Sequence, residues 1–251
     1  MTYTSVLEHP FVQAILKESV EVGEATGFDP VRDDDYPPLD ELQFYIVRVG
    51  YSVAHTLAWV EQLHHAVLFL GDFGYGRRLR EEGVNRSHHL IFNVENYLVR
   101  LQSVYDRLLQ LTNSVFHLCI SDELLNHSLI VSNLHVARTK VPQLLKAVRM
   151  TIQGKAEDRN AIVHKHSYMD DKLRRLELLY MQTEETWRPK NPRMTYRNLC
   201  YVRSQQMKEV TTGKKAEFTA VNAALIQALL PLLTELHAQY EARKKRLAVN
   251  G

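Results

Sequence analysis

The residues whose types and spacing suit chemistry stand at Asp158-Arg159-Asn160-Ala161-Ile162-Val163-His164. Asn160 and His164 are four apart, so on a helix they share one face. Arg159 stands five residues before His164, off that stripe by more than a third of a turn. Its long side chain reaches the same place if Arg159 sits at the helix start. A helix start also offers free N–H groups and the positive end of the dipole, both of which favour a phosphate. A guanidinium is a planar fork suited to phosphate oxygens. An imidazole titrates near neutrality and can take or give a proton. Asn160 can fix the imidazole or a phosphate oxygen. These are the needs of RNA cleavage by the RNA's own 2′-hydroxyl. A base removes the hydroxyl proton, a cation stabilises the phosphorane, and an acid protonates the leaving 5′-oxygen. The ribose supplies the nucleophile, so the reaction calls for neither a metal nor a cofactor.

The surroundings add charge. Between residues 138 and 165 stand Arg138, Lys140, Lys146, Arg149, Lys155, Arg159 and Lys165, against Glu157 and Asp158 alone. Seven basic side chains against two acidic ones leave a local surplus of five in a chain whose net charge is +2. Such a run attracts a phosphate backbone in a salt-dependent way. It makes Arg138, Lys140, Lys146, Arg149 and Lys155 candidate RNA contacts. Lys165, His166 and Tyr168 follow His164 closely and are candidates to line the site. Glu95, Asn96 and Arg100 are candidates to face it from an upstream helix.

The elements that must position these residues are helices. Ten glycines and eight prolines punctuate 251 residues. Apolar residues between them recur at three- and four-residue steps, with no long strict alternation. The pattern predicts an all-α chain with helices over about 4–25, 40–70, 87–120, 132–152 and 170–186, a shorter one beyond 192, and a long one over 214–247. Ser87 is the expected N-cap of the third helix. That helix carries a core-facing stripe of Leu90, Val94, Tyr97, Leu98, Leu101, Val104, Tyr105, Leu108, Leu111, Val115 and Phe116. Residues 71–86 read as a loop. The 132–152 helix is expected to bend at Pro142.

Arg-Asn-x-x-x-His resembles the Arg-polar-x-x-x-His signature of HEPN proteins. Glu95-Asn96-Tyr97-Leu98-Val99-Arg100 and Tyr105-Asp106-Arg107-Leu108-Leu109 resemble a bacterial, stand-alone branch of that superfamily. The resemblance spans about 87–186. It implies a four-helix up-and-down bundle at 87–186, with an N-terminal helical part over 1–86 and a C-terminal helical extension over 187–251, all within one domain. It implies a metal-independent ribonuclease with Arg159, Asn160 and His164 as catalytic residues. It also implies a homodimer whose two motifs face each other, because a two-fold interface brings the same patch against itself. A toxin or phage-defence role, with an antitoxin or other protein partner, follows from the family alone. So does the alternative of a non-catalytic HEPN module that binds a partner protein or a nucleotide.

Other features point elsewhere. Arg159 and His164 also fit a plain solvated helix start. His164-x-His166 lacks the spacing to share a helix face, which argues against a metal pair. Glu61-x-x-His64 is half of a di-iron signature whose second half the chain lacks. Thr211-Thr212-Gly213-Lys214-Lys215 hints at a phosphate loop, but no strand leads into it, and it reads as a helix N-terminus. Arg243-Lys244-Lys245-Arg246 reads as a solvated helix end, with RNA contact as the lesser reading. Cys119 and Cys200 form no Cys-x-x-Cys pair, and the N-terminus lacks a leader pattern. The apolar stretches look too short for a membrane span. A cytoplasmic protein without a membrane partner is the expectation.

Overall fold

A computed structural model of the chain describes residues 2–29, 31–33, 35–72, 77–155, 162, 170–187 and 195–250. Every regular element among them is a helix, as the periodicity predicts. In chain order these are α1 (Tyr3–Leu7), α2 (Pro10–Thr26), α3 (Glu41–Phe69), α4 (Arg77–Glu81), α5 (Arg86–Val115), α6 (His127–Ser132), α7 (Leu134–Ala137), α8 (Val141–Gln153), α9 (Asp171–Met181) and α10 (Tyr196–Asn250).

Local chemistry explains where the boundaries depart from the expected ones. The helix expected over 4–25 is two, because Pro10 opens α2 as a first-turn residue. His9 before it is extended, and its Nδ1 accepts the Phe11 N–H at 3.2 Å. Gly27 then stops α2 at φ 74°, a left-handed position that suits glycine. At α3 a reciprocal cap forms. The Gln43 N–H donates to Asp40 at 2.7 Å, and the Asp40 N–H donates to the Gln43 side chain at 3.1 Å. The loop expected over 71–86 contains the one-turn α4, laced by an Arg77–Glu81 ion pair at 2.7 Å.

At α5 the cap is Asn85, not Ser87. The Asn85 carboxamide oxygen accepts the N–H groups of Ser87 and His88 at 2.8 and 3.2 Å. The helix ends at Val115, short of the expected 120. Beyond it, His117 and Cys119 take positive φ angles of 51° and 55°. The Asn113 side chain holds that corner through both backbone groups of Ile120. The helix expected over 132–152 is α6, α7 and α8. Asn126 caps α6 and Asn133 caps α7. Pro142 falls in the first turn of α8, where it is tolerated rather than bending anything. The two expected C-terminal helices are one of 55 residues, which Pro231 does not interrupt. Thr211–Lys215 therefore lies inside α10 and not at a helix N-terminus.

The chain divides into two compact units: residues 1–62, 101–154 and 223–251, and residues 63–100 and 155–222. In the first unit, Phe11, Ile15, Tyr45, Leu108, Leu111, Leu229, Leu236 and Tyr240 are fully or almost fully buried. Burying each such side chain contributes roughly 1.5–3 kcal/mol. Tyr45 stacks on Tyr240 at 5.5 Å, and its hydroxyl donates to the Val115 carbonyl at 2.7 Å. Gly50 lets α3 pass against Ser19 of α2, where a Cβ would collide with the Ser19 hydroxyl. In the second unit the core is built by Leu63, Leu70, Leu90, Val94, Tyr97, Leu173, Leu176, Leu199, Val210 and Phe218. The α5 stripe is buried as expected, except Phe116, which is only half-buried.

One 18-residue window of α10 has a mean hydropathy of 1.5 with 33% of it buried, enough by length and composition to cross a membrane. The expectation that every apolar stretch is too short is corrected here. In the first unit the apolar side of this helix faces the core, through Leu225, Leu229, Leu232, Leu236 and Tyr240.

Candidate functional site

Arg159, Asn160 and His164 lie outside the described residues, as do Lys165, His166 and Tyr168. What is described is how the chain arrives at this segment and how it departs. Lys155, on the near side, forms an ion pair with Glu217 of α10. Asp170, on the far side, accepts the Lys214 ammonium at 2.9 Å. Lys214 in turn reaches Glu217 at 3.2 Å. Residues 214 and 217 are one turn apart on α10, so both flanks of the segment are tied to the same turn.

Each anchor has a local reason. Asp170 is the N-cap of α9, and its carboxylate accepts the Leu173 N–H at 2.8 Å. Burial by itself would raise this carboxyl. The Leu173 N–H and the Lys214 ammonium outweigh it and hold the group below its ordinary value. Glu217 has the same balance. Burial raises it, while Lys155 and Lys214 more than reverse the effect. Lys214 is buried, and it also sits over the Phe218 ring at 5.9 Å.

Phe218 carries the network to α5. Tyr97 stacks on it with centroids 3.7 Å apart and ring planes 8° apart. The Tyr97 hydroxyl donates to the Asn222 side chain at 2.9 Å. Asn222 donates to the Leu63 carbonyl of α3 at 3.3 Å. Burial, helped by the Glu217 charge, raises the Tyr97 phenol far above its ordinary value, so it stays a neutral donor. Glu95, Asn96 and Arg100 flank Tyr97 on α5 and are half-buried. Arg100 donates to Asn96 at 3.0 Å.

The described part of the basic run falls in both units. Arg138, Lys140, Lys146 and Arg149 are exposed residues of the first unit, while Lys155 belongs to the second. Lys155 was expected to meet a phosphate, but its ammonium is already held by the Glu217 carboxylate. Sequence reasoning missed Glu217, Lys214 and Asp170 as a cluster. The Lys214-x-x-Glu217 pair was legible at helical spacing, but its partners 44 or more positions upstream were not.

A second basic feature of this unit was also missed. Arg86, Lys208 and Lys215 line a cavity of about 360 Å³ together with Ser204, Thr211 and Thr212. Among the described residues no carboxylate lines it, and Lys215 lies against Gly71, where a Cβ would displace its ammonium. Ser204, Lys208, Thr211 and Lys215 recur along one face of α10. Residues 211–215 thus present hydroxyls and an ammonium from inside a helix. Their backbone N–H groups are spent on helical hydrogen bonds, so they do not act as a phosphate loop.

A family model described as Cthe2314-like HEPN matches residues 47–215, which is 169 of the 251 residues. Comparison with curated proteins and with solved structures found no match. The matched span starts 40 residues before the expected 87 and ends 29 after the expected 186. It takes in most of α3, all of α5 and the start of α10, as well as Arg159 to His164. With two thirds of its length matched, and with helices as its only regular elements among the described residues, the chain belongs to the HEPN family.

Proposed function

We propose that this chain is a metal-independent endoribonuclease with Arg159, Asn160 and His164 as its catalytic residues. The observation that carries the reading is Arg159-Asn160-x-x-x-His164 inside the span that matches the HEPN family. An imidazole takes the proton from a ribose 2′-hydroxyl, and the freed oxygen attacks the adjacent phosphorus. Arg159 balances the charge that builds on the phosphorane oxygens. The bond from phosphorus to the 5′-oxygen breaks, and that oxygen receives a proton from an acid. The products are a 2′,3′-cyclic phosphate and a 5′-hydroxyl. One His cannot be base and acid in the same step. A homodimer that brings two motifs together supplies the second.

Two features of the described residues support this reading. The turn at Lys214–Glu217 binds both flanks of the motif segment, which limits where it can begin and end. The cavity at Arg86, Lys208 and Lys215 offers unneutralised cations to an RNA backbone. The cellular role that fits is a cytoplasmic toxin or phage-defence effector, held in check by an antitoxin or other protein partner.

The test is RNA cutting by purified protein with and without EDTA, comparing wild type with Arg159→Ala and His164→Ala. Cutting that survives EDTA and falls in both variants is the expected result. Intact RNA under every condition sinks the nuclease and leaves a non-catalytic HEPN module. Cutting abolished by EDTA makes it a metal enzyme.

A further inference from the structure

The first unit holds a cavity of about 650 Å³ where the corner after α5 meets the last turns of α10. Arg138, Arg243 and Arg246 line it, with His117 and His135. Among the described residues, none of the three guanidiniums has a carboxylate partner and no carboxylate lines the cavity. The acid whose charge reaches His117 is Glu41, and it is outweighed there by Arg243 and Arg48. Arg48 adds a fourth guanidinium charge felt at His117, and it donates to Cys119 at 3.3 Å.

Two buried polar atoms here lack a hydrogen-bond partner: His117 Nδ1 and Arg243 Nε. A buried donor left unmade is costly, and native proteins seldom tolerate two side by side. His117 is also held at φ 51°, a left-handed position disfavoured for a residue with a Cβ. Strain of this kind persists where the surroundings impose it, and it gathers at sites that bind something. Burial and the positive charges of Arg243 and Arg48 lower the His117 pKa against the opposing charge of Glu41, as expected where cations outweigh anions.

We propose that this cavity binds a clustered phosphate group carrying two or more negative charges, as in a terminal phosphate or a polyphosphate chain. Three unpaired guanidinium forks match phosphate oxygens in geometry. A singly charged phosphodiester would leave most of their charge unbalanced, whereas a di- or triphosphate balances it. The volume holds more than one phosphate. Such a group occurs on a free nucleotide and at the 5′ end of an RNA strand, and the chemistry of recognition is the same for both. The site belongs wholly to the first unit and uses none of Arg159, Asn160 and His164.

Isothermal titration of the full chain tests this, with four probes. They are sodium tripolyphosphate, ATP, a 2′-O-methyl RNA octamer with a 5′-triphosphate, and the same octamer with a 5′-hydroxyl. The 2′-O-methyl groups remove the nucleophile, so cutting cannot interfere. Tripolyphosphate is expected to bind, and Arg243→Gln and Arg246→Gln are each expected to weaken it by about tenfold or more. Arg246→Lys should retain part of the affinity that Arg246→Gln loses, since it keeps the charge and loses the fork. Binding of ATP but not of the triphosphate octamer assigns the site to a free nucleotide. The reverse assigns it to an RNA end. The proposal is overturned if tripolyphosphate fails to bind below about 1 mM. It is also overturned if neither ATP nor the triphosphate octamer binds more tightly than the 5′-hydroxyl octamer. Unchanged affinity in Arg246→Gln, an exposed position that leaves folding intact, sinks it as well.

Discussion

Tyr97 lies flat on Phe218, with centroids 3.7 Å apart and planes 8° apart, and this pair joins α5 to α10 in the second unit. Phe218 directly follows Glu217, which binds the near flank of the Arg159–His164 segment through Lys155. A packing contact in the core therefore sits beside the turn that receives both ends of the motif.

Phe218→Ala is expected to cost about 3–5 kcal/mol, the usual loss for a fully buried aromatic. Tyr97→Phe removes only the hydroxyl that reaches Asn222 and should cost about 1 kcal/mol. Urea melts of the two variants measure the difference. Equal losses would mean that the ring contact contributes nothing beyond the hydrogen bond.

Asp170 and Glu217 make the second unit sensitive to acid. Both carboxyls titrate lower in the fold than their ordinary values of 3.8 and 4.5. Their contribution is complete above those values and is lost as the pH falls through the lower folded ones. Glu217→Gln should lower stability at pH 7 by about 1–2 kcal/mol, because Lys155 and Lys214 lose their shared anion. The gap from wild type should narrow between pH 5 and about pH 3. Thermal melts across that range check it, and a gap that stays constant with pH would contradict the assignment.

RNA binding should depend on Lys208 and Lys215. The double change to Ala is expected to weaken binding of a 2′-O-methyl RNA about tenfold at low salt. The slope of log affinity against log salt should fall by about two. Fluorescence anisotropy over a potassium chloride series reads both. Lys17→Ala, an exposed lysine of the first unit, is the control and should leave the curve in place.

The proposed composite site requires two chains. Light scattering should give twice the 29.1 kDa chain mass at the concentrations where RNA is cut. His164→Ala should lower the rate by about a hundredfold or more, the range for loss of a general acid or base. A clean monomer that cuts at full rate would remove the reason for pairing two motifs.

Helical periodicity made the all-α fold and the buried stripe of α5 legible, because every third or fourth position must face the core. The HEPN family was legible for a similar reason. Arg159, Asn160 and His164 lie within six residues of one another, so one short segment displays the whole signature. The helix breaks were less legible. They depend on competition between side-chain caps such as Asn126 and Asn133 and the continuing backbone ladder, and composition alone does not weigh that.

Tertiary structure alone decided which charges are neutralised and which are left over. Lys155 and Arg138 look alike in sequence, yet one is held by Glu217 and the other lines a cavity without an acid. Glu217 stands 62 positions from Lys155, and Arg243 stands 105 from Arg138. Only folding closes such distances. The sequence by itself supplied the candidates for gripping a phosphate and shuttling protons. The fold determined which of them meet a partner, since a charge interacts with its neighbours in space and not along the chain.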